Sequence, residues 1–120
     1  MTIRYHKIAL FYYRIFGDRY YIADTLSDLG CAYKQAGKQC YSKAKECIHE
    51  SLQIAHRESY VPVIAANYNT LGQIAAREGD NTTAKGWFEK AAALWDKLGY
   101  PSKAAVARRN IVWVDEGVFS

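Results

Sequence analysis

The sequence has little proline, little net charge of either sign and no long hydrophobic run. Two prolines in 120 residues exclude collagen and mucin-like stalks. A hydrophobic content of 50% against 23% charged excludes an intrinsically disordered chain. No apolar stretch approaches the roughly 18 residues that span a bilayer, so no membrane partner is expected. The most apolar run near the start, Ile8 to Tyr13, is closed by Arg14 and followed by no small-residue cleavage site, which argues against a signal peptide. The formal charge is +4, from 16 basic and 12 acidic residues. Nine basic and six acidic residues fall in 1–60, seven and six in 61–120. So small and even an excess is not a nucleic-acid footprint. Three cysteines cannot all pair, which fits a reducing cytoplasm better than a disulfide scaffold.

What the sequence does have is an internal repeat. Leu26-Ser27-Asp28-Leu29-Gly30-Cys31-Ala32-Tyr33 lies over Tyr68-Asn69-Thr70-Leu71-Gly72-Gln73-Ile74-Ala75, and Gly37 over Gly79, at an offset of 42. Ala44-Lys45-Glu46-Cys47-Ile48 lies over Ala84-Lys85-Gly86-Trp87-Phe88 at an offset of 40. The first unit therefore holds two extra residues between Lys38 and Ser42, a place that belongs in a turn. The match runs outward: Ala9 aligns with Ser51 and Ala91, Gly17 with Ser59 and Gly99, Ala23 with Ala65 and Ala105.

Apolar residues recur at helical spacing in Ile22, Leu26, Leu29, Ala32 and Tyr33 and again in Ala65, Tyr68, Leu71 and Ala75. Breakers fall at Gly17-Asp18, Gly37-Lys38, Ser59 to Pro62, Gly79-Asp80 and Gly99 to Pro101. Pro62 and Pro101 suit first helical turns. Asp80-Asn81-Thr82 and Ser102 offer N-caps. No segment alternates as a half-buried strand does. The spacing predicts an all-α chain of six helices over about 3–16, 20–35, 41–57, 62–77, 82–98 and 103–116.

This pattern resembles the tetratricopeptide repeat family, whose unit is two antiparallel helices, A and B. Leu26, Leu29, Gly30, Tyr33, Ala44, Ile48 and Ser51 occupy its signature positions in the first full repeat. Tyr68, Leu71, Gly72, Ala75, Ala84, Phe88 and Ala91 occupy them in the second. The departures are Ser51 for alanine, Ala75 for tyrosine and Ile48 for an aromatic. A spacing of 40–42 is similar to the longer-helix variety found in regulatory and signal-sensing proteins. The resemblance implies one domain over 1–120, built as a right-handed α-solenoid. It would comprise a half repeat at 3–17, full repeats at about 20–59 and 62–99, and a half repeat at 102–117.

Physics requires the stacking independently. A pair of amphipathic helices cannot bury both apolar faces alone. Gly30 and Gly72 sit mid-helix, where glycine costs about 1 kcal/mol against alanine. They are tolerable where a neighbour comes close, expected at Ala44 and Ala84. Register gives the helix order B, A-B, A-B, A, so the ends are bare and apolar: Ile8 to Tyr13 at one, Ile111 to Val114 at the other. Val112 takes the place of the small glycine, with Trp113, Val118 and Phe119 beside it. The expectation is a piece of a longer array or ends buried by a second copy, a homodimer.

Catalytic and metal chemistry find little support. Cys40, Cys47 and His49 are spaced C-x6-C-x-H, wider than zinc ligand pairs, and His49 and His56 are seven apart. Cys31, Cys47, His49 and Asp28 are the only material for nucleophilic catalysis, and no signature surrounds them. Asn81-Thr82-Thr83 matches a glycosylation acceptor but reads better as a cap. No phosphate loop or dinucleotide motif occurs. No metal, no cofactor and no enzymatic activity are expected. Trp87, Phe88, Tyr33 and Tyr68 fit core positions.

What remains is the face that A helices line in this family. Register selects Asp24, Ser27, Asp28, Cys31 and Lys34 on the first A helix. On the second it selects Ala66, Asn69, Thr70, Gln73 and Arg77, and on the third Val106, Arg109, Asn110, Trp113 and Glu116. Asn69, Gln73, Arg109 and Asn110 can hydrogen-bond an extended peptide, and Trp113 can anchor an apolar side chain. The family's chaperone-tail clamp needs Lys, Asn and Arg where this chain has Ser27, Cys31, Thr70, Val106 and Asn110, so that function is disfavoured. The expected function is a non-enzymatic scaffold binding a protein segment or neighbouring domain, as a sensor or regulatory part of a larger protein. The alternatives are self-association through the apolar ends and an RNA-binding helical repeat. The last is opposed by the repeat length and the weak charge.

Overall fold

The computed structural model describes residues 2–117. Its six α-helices are α1 (Thr2–Phe16), α2 (Arg19–Ala36), α3 (Tyr41–Glu58), α4 (Val61–Arg77), α5 (Asn81–Leu98) and α6 (Pro101–Asp115). No strand occurs among the described residues. Every helix end lies within two residues of its expected place. The two extra residues of the first repeat are taken up by a 3-10 turn, Lys38–Cys40.

Local chemistry sets these boundaries. Asp18 and Asp80 are N-caps: each carboxylate accepts from a backbone N–H three residues on, of Tyr21 and Thr83, both at 3.2 Å. Each such cap is worth about 1 kcal/mol. Ser102, expected to cap α6, instead lies inside the helix. Pro101 leads that helix after Tyr100, and no side chain caps it. Proline there has its φ preset and no N–H to satisfy. At the C-terminal ends of α3 and α5 the backbone N–H groups of Tyr60 and Tyr100 donate to Ala55 and Trp95 carbonyls at 2.8 and 2.9 Å. This closure needs a left-handed residue just before. Gly99 supplies it at φ 80°, and Ser59 does so at φ 60°.

The chain forms two units, 1–63 and 64–120, with the boundary inside α4. In the first, α2 packs on both α1 and α3. Its numbers rise where those of α3 fall. Ser51 Oγ donates to the Ala23 carbonyl at 2.6 Å, and Lys43 Nζ lies 5.8 Å from the Tyr33 ring centre. A Cβ on Gly30 would lie 2.5 Å from Ile48 Cδ1 and 3.3 Å from the Ala44 carbonyl oxygen.

In the second unit the same contacts recur in the same register. Ala65 clusters with Ala91, and Ala75 with Ala84 and Phe88. A Cβ on Gly72 would lie 2.6 Å from Phe88 Cε1. Both glycines thus make room chiefly for the side chain at position 48 or 88. The sequence expected backbone at Ala44 and Ala84; the Ala44 oxygen does lie close to Gly30, while the atoms nearest Gly72 belong to the Phe88 ring. Serine at 51 is also explained: its buried hydroxyl bonds a carbonyl of the neighbouring helix.

Helix α6 uses one face only. It buries Ala104, Ala107, Asn110 and Val114, the register equivalents of Ile22, Thr25, Asp28 and Ala32. Ala105 and Val112, equivalent to the buried Ala23 and Gly30, are exposed. Trp113 is half-buried; Val118 and Phe119 lie outside the described residues. Among the expected core aromatics Tyr33 and Phe88 are buried. Tyr68 and Trp87 are half-buried, with Lys90 Nζ 5.8 and 5.0 Å from their ring centres.

Candidate functional site

The residues that register selected fall into two groups. In the second unit α4 carries Asn69, Gln73 and Arg77 at four-residue spacing, hence on one stripe. Helix α6 brings Asn110 to this stripe, and its Nδ2 donates to Asn69 Oδ1 at 3.3 Å. One turn along α6, Arg109 lies over the Trp113 ring, 4.8 Å from its centre. Such cation–π contacts are worth about 0.5–1 kcal/mol when exposed, a modest bias toward this orientation of the indole. Asn69, Gln73 and Trp113 are half-buried, and Arg77 and Arg109 exposed. Helix α4 thus offers planar amide and guanidinium groups, and α6 an indole covered by a guanidinium. Asn110 is itself buried. It positions Asn69 rather than meeting a partner, which corrects the expectation that it faces outward.

In the first unit the α2 set is less open. Ser27 is buried, again unlike its expected place on the surface. Asp24 and Cys31 are half-buried and Asp28 is exposed. His6 Nε2 of α1 stands 4.0 Å from Asp28 Oδ2. Partial desolvation of the carboxyl, though much of the side chain meets solvent, pushes Asp28 above its ordinary value, the Asp24 carboxylate adds to this, and His6 opposes it. The folded chain therefore holds this proton more firmly than the unfolded chain, and ionised Asp28 works against folding. The Asp28→Asn variant is expected to melt slightly higher than wild type at neutral pH. The gap should close as pH falls and Asp28 becomes protonated in both states; a gap that widens in acid contradicts the assignment.

One feature escaped the sequence. An open groove of about 710 Å³ lies among α1, α2 and α3. Leu26, Leu29 and Tyr33 of α2 line it, with Lys7, Phe11, Arg14 and Ile15 on the α1 side and Lys43, Glu46, Cys47 and Glu50 on the α3 side. Arg14 Nη2 pairs with Glu50 Oε2 at 2.6 Å. Three helices build it, and no spacing within one segment announces it. Burial first, then Glu50 and Glu46, push the Cys47 thiol up, so it stays protonated and a poor nucleophile. Among the described residues no three His, Cys, Asp or Glu side chains stand close enough to hold a metal ion, and none of the helices is long and apolar enough to cross a membrane. No family model, no curated protein and no solved structure matches the chain.

Proposed function

We propose that the chain is a non-enzymatic helical-repeat scaffold of the tetratricopeptide kind. In this reading its helices form a right-handed solenoid of antiparallel pairs that binds an extended protein segment along its A helices. The observation that carries the reading is the α4–α6 surface, where Asn69, on one stripe with Gln73 and Arg77, meets Asn110 of α6 and Arg109 lies over Trp113. An extended peptide has unpaired backbone N–H and C=O groups every residue, which planar amides and guanidinium groups pair. The indole offers the kind of anchor that dominates protein interfaces.

The repeated packing of Gly30 with Ile48 and Gly72 with Phe88 supports the solenoid. Recurrence of one packing pattern at one register is what a repeat array requires of its helix pairs. Three cysteines that form no disulfide suit a reducing cytoplasm. A place as the regulatory or sensor part of a larger protein accords with this reading.

The test is capture of a protein partner by the wild-type chain, followed by Asn69→Ala and Arg109→Ala. Each variant is expected to weaken binding by roughly tenfold, about 1.4 kcal/mol, with the melting temperature little changed. A partner that binds both variants as tightly as wild type places the site elsewhere.

A further inference from the structure

We propose that the outward face of α1 is a homotypic interface, through which two copies of the chain associate about a two-fold axis. The inference does not depend on the α4–α6 surface, and either can fail without the other.

Helix α1 turns Leu10 inward and leaves six large side chains outside. Tyr5, Ile8, Phe11, Tyr12, Ile15 and Phe16 are 51–78% exposed. At 100° per residue they share an arc of about 140°, so they form one stripe along the helix. Monomeric proteins seldom leave so large a contiguous apolar patch uncovered. Helix α6, the other candidate for self-association, exposes only Val106 and Val112 as large apolar residues.

Area, symmetry and charge select a second copy as the occupant. From typical side-chain areas the stripe presents roughly 700 Å², close to the 800 Å² that each partner gives to a standard interface. The stripe carries an aromatic ring at both ends, Tyr5 and Phe16, with its midpoint between residues 10 and 11. An antiparallel copy therefore meets an aromatic ring at each end, and a contact of like face on like face closes and stops. The groove beside the stripe carries both signs of charge, Lys7, Arg14 and Lys43 with Glu46 and Glu50. A copy brings the same mixture and can set acid against base.

Light scattering across a concentration series tests the proposal. The wild type is expected to approach a dimer mass by high micromolar concentration. Ile8→Glu and Ile15→Glu, both at exposed positions, should weaken association by at least about tenfold, and circular dichroism should report unchanged helix content. Val112→Lys should leave the dimer intact. The proposal is overturned by a wild-type monomer at high concentration, by dimers that persist in both folded glutamate variants, or by dissociation on Val112→Lys. A monomer that sediments with phosphatidylserine vesicles and is released by Ile15→Glu would assign the stripe to a membrane surface instead.

Discussion

Replacing Phe88 with alanine is expected to destabilise the chain by about 3–5 kcal/mol. The ring is fully buried and clusters with Ala75, Ala76, Ala84 and Val114, so it contacts side chains from α4, α5 and α6. Three of those neighbours are alanines, which cannot fill the vacated space, and Trp87 and Ile111 pack at the edge of the cluster. At this chain length the loss corresponds to about 10–20 °C in melting temperature. Thermal and urea melts of Phe88→Ala measure it, and a loss under about 1 kcal/mol would contradict the packing.

Gly72→Leu should also destabilise the chain, by less and for the opposite reason. A Cβ at residue 72 would lie 2.6, 2.7 and 3.0 Å from Phe88 ring atoms, and a fully buried ring cannot retreat. Overpacking of this kind costs about 1–3 kcal/mol, more than the 1 kcal/mol or so that removing a mid-helix glycine returns. Gly86 provides the control. It too lies within a helix, but nothing stands within 4 Å of its added Cβ, so Gly86→Ala should stabilise by up to about 1 kcal/mol. Opposite signs at Gly72 and Gly86 are the expected result. A Gly72→Leu variant that melts like wild type would remove the close contact from the account.

Helix existence and boundaries were legible because breakers are local. Glycine, proline and aspartate act within one turn of where they stand, and the repeat confirmed each break by a second copy. The pairing of helices was legible from Gly30 and Gly72, since a mid-helix glycine needs a neighbour that explains it. Which atoms fill that space was not, because an offset of 40 says that Ile48 and Phe88 correspond without saying how far their side chains reach. Burial of Ser27 and Asn110 was hidden for a related reason. Register assigns a residue to a helix face, whereas depth depends on how closely the next helix approaches. Asn110 is drawn in by Asn69, 41 residues away, and no pattern within α6 announces that partner. The exposed stripe of α1 was visible as an apolar run. Its opening onto a groove walled by α3 needed three helices in place.

The most direct test of the scaffold reading follows backbone and indole NMR signals of the intact chain during titration with a partner segment identified by capture. The largest changes are expected at Asn69, Gln73, Arg77, Arg109 and Trp113, and they should be lost in the Arg109→Ala variant. Changes confined to the exposed surface of α3 or α5, with the Trp113 indole signal unmoved at saturation, would contradict it.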